Sequence, residues 1–567
     1  MNRNCIANSL EPLESRIAPA TFMVTVNNLT DTHIPGKVDL REAIAQTNAH
    51  MGASTITFKA GSHGVIELVG SAALTVTKSL TITGPGGNKV VIDGMNDSRV
   101  FDLNGAKVTL SGLAMVNGNA GNADGGAIYS FGPLTINNCV ISGSSAAFGG
   151  GICDFSSGAF TLNNSVVSGN SAAASGTGEG GGVYVSADGG IQINGSKIIG
   201  NTSDDFGGGI RAKINSVDTA NLVISNSVIS GNTATNQGGG GRIYDDSSNG
   251  AKVLISGSVV SGNTTTAAGS EGGGLRLFSQ TGDSVLITGT KFVNNSTAGF
   301  GGGLWEGGLG AATIQGSRFS GNSTSGTFGG GIFLANYLHT VTIQSSSILD
   351  NQATNGNGGG IATAGAVSVT ISGTTIAENN AVGFAGGGDF GVIVGTGNTK
   401  ITGSTISNNH AGNNAGGAYI GGTGNVTIQS TNVSGNSAAG AGGGLEVHST
   451  GLSISLAGNT VVSNSAVGDG GGLYLGDSGT FNITGGSFTG NVSGGQGGGI
   501  FIGSASNGAI HTPGVLITGN ESTGYGGGVA NANAAPGAVT MKTSSVTGNV
   551  GASLVGVKTD TYGTFTP

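Results

Sequence analysis

Short triplets of apolar, polar and apolar residues recur along most of the chain. Examples lie at residues 134–136, 191–193, 341–343 and 426–428, where aliphatic residues flank a polar one. This alternation has a period of two, which is typical of a β-strand and does not suit a helix. Three residues after the triplet most repeats carry Ser or Thr, and two residues further they carry Val, Ile or Phe. The pattern predicts many short strands.

These strands belong to a repeat of about 29 residues. Each repeat opens with a block of small residues, Gly-Gly-Gly or Gly-Gly-Ala, and an Asn follows at a fixed place later in the repeat. The fifteen blocks end at Ala127, Gly151, Gly182, Gly209, Gly241, Gly274, Gly303, Gly331, Gly360, Gly388, Ala418, Gly444, Gly472, Gly499 and Gly528. The Asn positions are Asn170, Asn201, Asn232, Asn263, Asn295, Asn322, Asn351, Asn379, Asn409, Asn436, Asn464, Asn491, Asn520 and Asn549.

The repeat predicts an all-β, single-stranded parallel β-helix with about fifteen regular coils. Each coil holds three short strands: one after the glycine block, one at the triplet and one leading to the Asn. Each strand pairs with its copy in the next coil, about 4.8 Å away, so that inward aliphatic residues form ladders. We expect the Asn side chains to form a hydrogen-bonded ladder and the glycines to allow positive φ at tight corners. A β-propeller is excluded because its blades need about 40–45 residues.

Composition supports an ordered repeat. The chain has 115 glycines in 567 residues, a content close to that of low-complexity, disordered segments. These glycines are periodic, however, and 37% of the residues are apolar, which favours an ordered fold. The net charge is −9 and lysine is scarce, so the chain has no electrostatic footprint for nucleic acid. There is no run of 18 apolar residues, and we expect no transmembrane segment.

The chain has three cysteines, at positions 5, 139 and 153. Cys139 and Cys153 are close enough in sequence to lie on neighbouring strands, and the pattern allows either two buried free thiols or a disulfide. No cluster of Cys or His has the spacing of a zinc site. We therefore expect no metal and no cofactor. The alternative is that the protein binds calcium.

The first residues read as a leader. Residues 1–20 contain Arg3 and Arg16 but no apolar stretch of the kind that marks a signal peptide. The segment from Leu10 to Pro19 resembles the Leu-Glu-Pro-Arg-type N-terminal motif of exported repeat proteins of planctomycetes, with Arg16 as the motif arginine. This resemblance implies an exported protein.

A short helix is predicted next, with Asp39 as its N-cap and Leu40 and Ile44 on one face. The run from Asp39 to Ile44 resembles the Ser-Leu-Arg-Glu-Ala-Ile element that opens many bacterial β-helix proteins, with Asp39 in place of the serine. The Gly-Gly-Ala-Ile block that begins at Gly125 is similar to the repeats of chlamydial polymorphic outer-membrane proteins. Together the resemblance covers about residues 22–550. It implies a right-handed, pectate-lyase-like β-helix that is secreted or displayed on the cell surface.

The chain therefore divides into four parts. Residues 1–20 form the leader, and residues 21–118 form the N-terminal cap with the first irregular coils. Residues 119–549 form the regular repeats, in which Pro513 interrupts one coil. Residues 550–567 form a tail or a C-terminal cap.

One outer face of the β-helix carries aromatic and basic residues. In the strand after each glycine block the first residue should face the core and the second should face outward. The second positions are Tyr129, Cys153, Tyr184, Arg211, Arg242, Arg276, Trp305, Phe333, Ala362, Phe390, Ile420, Glu446, Tyr474 and Phe501. Two residues later the same face adds Phe131, Phe155, Lys213, Tyr244 and Phe278. The block of four glycines before Arg242 leaves its register open by one residue.

This face has two interpretations. Aromatic planes stack on sugar rings and arginines pair with acidic sugars, which predicts a polysaccharide-binding track. Alternatively, the outward rings stack on their own copies and shield the sheet. The candidate ligand-binding residues are Tyr184, Arg211, Lys213, Arg242, Tyr244, Arg276, Phe278 and Trp305.

The sequence does not contain a clear catalytic constellation. A lyase would need clustered acids for calcium together with a basic residue, and a hydrolase would need paired carboxylates. The best enzymatic candidates are Asp245 and Asp246 beside Arg242 and Arg276, although solvated turn residues would look the same. We predict a non-catalytic extracellular role in adhesion, structure or carbohydrate binding. The alternative is a polysaccharide lyase or hydrolase that acts on acidic glycans. The partners would be polysaccharides or cell-surface components, and the oligomeric state stays open.

Overall fold

A computed structural model gives the structure of the protein. It describes residues 21–562 apart from 71, 88, 215–220, 246–249, 337–339, 366–367, 392–396, 450–452, 477–479, 505, 512–513, 533–538, 543–544 and 552–559. The predicted leader, Asp246 and Pro513 therefore lie outside the described residues.

The described chain winds into a right-handed parallel β-helix, as the repeat predicts. All strand pairs are parallel and in register, so that each residue lies above its counterpart in the next coil. Leu275 pairs with Leu304, for example, and Leu304 with Ile332. Less regular coils from Phe22 onward precede the glycine blocks.

The first sheet contains the strands that follow the glycine blocks, and it has 18 strands within the described residues. Its strands are Leu74–Val76, Phe101–Leu103, Ile128–Ser130, Ile152–Asp154, Val183–Ala187, Ile210–Ile214, Gly241–Asp245, Leu275–Ser279, Leu304–Gly308, Ile332–Asn336, Ile361–Ala364, Gly388–Phe390, Ala418–Gly422, Leu445–Ser449, Leu473–Gly476, Ile500–Ile502, Val529–Asn531 and Thr561–Tyr562.

The second sheet contains the triplets. Its 19 described strands are Phe22–Val26, Ser54–Phe58, Leu80–Thr83, Val108–Ser111, Leu134–Asn137, Phe160–Asn163, Ile191–Asn194, Asn221–Ser225, Lys252–Ser256, Ser284–Thr288, Ala311–Gln315, Thr340–Gln344, Ser368–Ser372, Thr399–Thr402, Val426–Gln429, Ile454–Ala457, Thr480–Thr484, Asn507–His511 and Val539–Lys542.

The third sheet contains the strands that lead to the Asn positions. Its 18 described strands are Gly64–Glu67, Val90–Asp93, Ala114–Val116, Val140–Ser142, Val166–Ser168, Lys197–Ile199, Val228–Ser230, Val259–Ser261, Lys291–Val293, Arg318–Ser320, Ser347–Leu349, Thr375–Ala377, Thr405–Ser407, Asn432–Ser434, Thr460–Val462, Ser487–Thr489, Leu516–Thr518 and Ser545–Thr547.

A fourth sheet corrects the prediction of three strands per coil. Its strands have two residues each, directly after the Asn (after Ser144 in the first of them), and the second residue is buried. A run of two residues is too short to show an alternating pattern, which is why the sequence did not reveal it. Its 14 described strands are Ser145–Ala146, Ser171–Ala172, Thr202–Ser203, Thr233–Ala234, Thr264–Thr265, Ser296–Thr297, Ser323–Thr324, Gln352–Ala353, Asn380–Ala381, His410–Ala411, Ser437–Ala438, Ser465–Ala466, Val492–Ser493 and Glu521–Ser522.

The core fills the inside of the coils with aliphatic ladders. Ile210, Leu275, Leu304 and similar inward residues are fully buried, and each contributes about 1.5–3 kcal/mol as an upper bound. Phenylalanines in neighbouring coils stack as well: the rings of Phe292 and Phe319 lie 4.5 Å apart at 4°. The stacked repeats thus share one continuous core.

The predicted Asn ladder is confirmed along its whole length, from Asn170 to Asn549. The Oδ1 of Asn322 accepts hydrogen bonds from both the backbone N–H and Nδ2 of Asn295, at 3.0 and 2.9 Å. The second Nδ2 proton of Asn295 is donated to the carbonyl of Val260, at 2.9 Å. Because each buried amide satisfies the next, the ladder fixes the turn between the third and fourth sheets.

The glycine block needs glycine for two reasons. Gly301, the first of its block, has φ +68, in the left-handed region that favours glycine. Gly302, the second, lacks positive φ, but a Cβ there would collide with the carbonyl of Gly330 in the next coil. The block therefore combines a left-handed corner with a close approach of backbones.

A helix covers the N-terminal end, as predicted. It spans Leu40–Ala49, and Asp39 accepts a hydrogen bond from the N–H of Glu42 at 2.8 Å while Glu42 accepts one from the N–H of Asp39 at 3.1 Å. Arg41 binds Asp31 at 2.8–2.9 Å. At the other end, Thr561–Tyr562 adds a last strand to the first sheet. Among the described residues no helix is long and apolar enough to span a membrane.

Cys139 and Cys153 are both buried free thiols, so the disulfide alternative is wrong.

Candidate functional site

The outer side of the first sheet forms a face made of three columns. We call it the glycine-side face. The central column holds the second residue of each strand, and the far column holds the fourth. The edge column holds the residue just before each glycine block, and its members pair from coil to coil: Phe148 with Glu179, and Phe206, Gln237, Glu271, Phe300, Phe328 and Asn357 in succession. The edge column was not predicted from the sequence, because the glycines separate it from the strand. The recurrence of Phe, Glu or Gln directly before the block is the signal that could have revealed it.

The structure fixes the register of the central column. Arg211, Arg242 and Arg276 pair in successive coils, which settles the open register of Arg242, and Trp305 and Phe333 follow.

The prediction that Phe390 and Ile420 face outward is wrong. Phe390 and Ile420 lie in the core, and their outward neighbours are Asp389 and Tyr419. The reason is that Ala385, with φ +59, takes the left-handed place that glycine fills in other blocks, and Ala415 does the same. The visible glycines therefore begin one residue late, and the register read from them is displaced by one.

Three arginines are stacked in neighbouring coils of the central column. Arg211 binds Glu179 at 2.9 Å, and Arg276 binds Glu271 at 2.6 Å, through Nε in both cases. Arg242, between them, has no carboxylate partner among the described residues, and its Nε is buried without a hydrogen-bond partner.

Arg242 is held by aromatic rings. Its guanidinium lies 4.4 Å from the ring centre of Phe206 and 5.2 Å from that of Tyr244. Burial, together with the charges of Arg211 and Arg276, lowers the pKa of Arg242 to about 10. It is therefore charged at neutral pH, and none of the ion pairs among the described residues includes it.

The other predicted binding residues surround these arginines. Arg211 lies 5.7 Å from the ring of Tyr184, and the rings of Tyr244 and Phe278 stack at 5.4 Å. Lys213 lies in the far column, paired with Tyr244 in the next coil. The structure thus brings the basic and aromatic candidates together on one face.

An aromatic groove continues the face beyond Arg276. The guanidinium of Arg276 lies 4.4 Å from the ring of Trp305, and Trp305 and Phe333 form an apolar cluster separate from the core. The groove has a volume of about 620 Å³. Its lining consists of Glu271, Phe278, Phe300, Trp305, Gly308, Leu309, Phe328, Phe333, Ala335, Ala364 and Gly365.

Two buried acids follow further along the central column. Asp389 and Glu446 are each 2% exposed. Burial raises the pKa of Asp389 well above its usual range. Glu446 accepts hydrogen bonds from His448 at 2.7 Å and Asn414 at 3.1 Å. Neither carboxyl group is open to solvent, so a ligand on the face would not reach it in this conformation.

The predicted catalytic candidates do not share one face. Arg242 and Arg276 point outward, whereas Asp245 lies at an inward position of the same strand as Arg242 and is 1% exposed. Asp245 is hydrogen-bonded to Asp283. Burial, with a further contribution from Asp245, raises the pKa of Asp283 to about 6. Within the described residues no group of three or more His, Cys, Asp or Glu could hold a metal ion.

Comparisons with known proteins agree with the fold. Residues 348–521 match the family described as right handed beta helix region. A search of curated proteins finds no match. Among solved structures, a PL6 family alginate lyase, AlyGC, is similar at 11% identity with a TM-score of 0.26, covering 94% of this chain and 100% of that one. The family match agrees with the right-handed parallel β-helix that the strand pairing shows.

Proposed function

We propose that this protein is an extracellular or cell-surface β-helix protein that binds an acidic polysaccharide along the glycine-side face without cleaving it. The observation that carries the proposal is Arg242, a cation without a carboxylate partner among the described residues, between Arg211 and Arg276. Self-stacking of outward aromatics accounts for pairs such as Tyr244 and Phe278. It does not account for an arginine that forms no ion pair among the described residues.

The chemistry of the face suits uronic acid units. A guanidinium donates two parallel hydrogen bonds to a carboxylate, and the neighbouring aromatic rings offer flat surfaces to sugar rings. A polymer aligned with the axis of the β-helix meets a new coil about every 4.8 Å, so it can make many weak contacts in succession.

The placement of the acids supports a non-catalytic role. A general acid or base must reach the bond that it acts on. Asp245 faces the interior, and Asp389 and Glu446 are buried beneath the face. The carboxylates beside the arginines, Glu179 and Glu271, are already engaged in ion pairs.

The test measures binding of polygalacturonate by isothermal titration calorimetry. We expect Arg242→Gln to bind at least tenfold more weakly than the wild type, which corresponds to about 1.4 kcal/mol. Lys291→Gln removes the same charge from an exposed position on the third sheet and should bind like the wild type. Neutral dextran should not bind.

Three results would count against this function. Equal affinity of the wild type and Arg242→Gln would remove the assigned role of that arginine. A lack of polygalacturonate binding would remove the ligand class. New reducing ends or unsaturated products after incubation would establish the lyase or hydrolase alternative instead.

The extracellular location is part of the proposal, and it is supported by the N-terminal resemblances. Antibody labelling of intact cells of the source organism, with lysed cells as the control, tests it. Labelling that requires lysis would contradict it.

A further inference from the structure

We infer that the groove beside Trp305 is a separate binding site for a small planar aromatic carboxylate. The groove has a volume of about 620 Å³, within the range of about 300–1,000 Å³ that is typical of small-molecule sites. This inference goes beyond polysaccharide binding, because the groove and the arginine column differ in chemistry.

The lining of the groove favours an apolar ligand body. Apart from Glu271 and glycine backbone, the lining side chains are aromatic or aliphatic. The carboxylate of Glu271 is already bound to Arg276. A sugar placed here would lose water from several hydroxyls without gaining partners, at about 1–3 kcal/mol each. An aromatic ring carries no such penalty.

The wall of the groove favours a flat ligand. The rings of Phe300, Phe328 and Phe333 are nearly parallel, with centres 5.4–6.1 Å apart and interplanar angles of 13–28°. Trp305 lies beside them in the same cluster. Offset stacking on such rings stabilises an aromatic guest by about 0.5–1.5 kcal/mol beyond the burial of its area.

Arg276 borders one end of the groove, where it contacts the lining residues Glu271 and Trp305, and its charge favours an anion there. Arg276 lies 4.4 Å from the ring of Trp305, and its side chain is 10% exposed. Its Nη1 is buried and has no hydrogen-bond partner in the described part of the chain. Arg242, in the adjacent coil, adds a charge that the described residues do not compensate. A rotation of the Arg276 side chain would bring Nη1 to a ligand carboxylate at this end while the ring fills the groove.

The protein has a single tryptophan, which makes the test direct. Titration of the full chain with naphthoate, followed by calorimetry and by the emission of Trp305, should show saturable binding at one site. Naphthalenemethanol, which keeps the rings but has no charge, should bind at least tenfold more weakly. Cyclohexanecarboxylate, which keeps the charge but is not planar, should also bind at least tenfold more weakly.

Two variants examine the wall and the anion end. Phe328→Leu keeps an apolar side chain but removes a stacking ring, and Arg276→Gln removes the anchoring charge. Each should weaken naphthoate binding at least fivefold. Leu286→Ala, which removes exposed apolar surface from the second sheet, should leave it unchanged.

The ligand series uses the wild-type protein, so the inference can fail even if a variant does not fold. It is overturned if naphthoate produces neither heat nor a change in Trp305 emission, or if naphthalenemethanol binds equally well. Tighter binding of palmitate than of naphthoate would overturn the planar ligand in favour of an acyl chain. Polygalacturonate binding is measured separately with Arg242→Gln and Lys291→Gln, so either proposal can fail alone.

Discussion

Asn322 shows how one buried side chain joins its own coil to the coils on both sides. Its Oδ1 accepts two hydrogen bonds from Asn295, and its own Nδ2 donates to Asn351 at 2.9 Å and to the carbonyl of Phe292 at 3.0 Å. Water is excluded, because the residue is fully buried. A polar group that loses its partner here has no substitute.

We therefore expect Asn322→Ala to lower the free energy of unfolding by about 2–5 kcal/mol, because two donors of Asn295 lose their acceptor. Asn355, an exposed residue with a single side-chain hydrogen bond to Ser325, provides the control. Asn355→Ala should cost less than about 1 kcal/mol. Denaturant unfolding of both variants measures the difference, and similar losses would argue against the ladder as a source of stability.

At the scale of the element, the glycine block determines where each strand begins. The left-handed corner at Gly301 and the close approach at Gly302 leave no room for a side chain. The coil can therefore form this corner only if these positions are glycine.

Gly301→Ala should destabilise the protein by more than about 3 kcal/mol, because the strain of positive φ adds to a collision of the new Cβ with the carbonyl of Leu304. Gly269 provides a matched control, since its φ is +75 and a Cβ there would meet nothing within 4 Å. Gly269→Ala should cost about 1–2 kcal/mol, from backbone strain alone. Melting temperatures of the two variants compare the contributions, and equal shifts would contradict the close-approach argument.

Most of the strands and turns could be predicted from the sequence. Period-two triplets and periodic glycines are local signals, so the coil, its three longer strands, the Asn ladder and the capping helix were predictable. The fourth strand was not, since two residues carry no pattern. Ala385 and Ala415 hid the true start of their blocks and displaced the register, which concealed Asp389. The ion pairs of the arginines were not predictable either. Arg211 and Glu179 belong to different coils, and Arg276 and Glu271 lie on opposite sides of a glycine block, so only the fold brings their charged groups together.

At the scale of the whole molecule, buried carboxyl groups couple folding to pH. Asp154 occupies an inward position of the first sheet and is fully buried. Burial raises its pKa to about 7 from its usual 3.8, against the opposing effect of the Ser130 and Ser156 hydroxyls. The folded state therefore holds a proton that the unfolded chain releases at lower pH. As a result, the contribution of this residue to stability falls as pH rises from about 4 to about 7.

Asp154→Asn mimics the protonated form and should remove this loss. We expect the variant and the wild type to have similar stability near pH 4, and the variant to be more stable at pH 8 by up to about 4 kcal/mol. Glu521→Gln changes an exposed carboxylate and should not alter the pH profile. Thermal unfolding across this pH range measures the effect, and parallel curves for Asp154→Asn and the wild type would contradict it.

The residues of the central column change in type along the axis of the β-helix, so the two directions along the face differ. Read from the N-terminal end, the column passes from the arginines Arg211, Arg242 and Arg276 to the aromatic rings of Trp305 and Phe333. A chain laid along the face meets this order in one orientation and its reverse in the other. Since the two orientations differ in their contacts, the surface has the asymmetry needed to distinguish the two ends of a linear polymer.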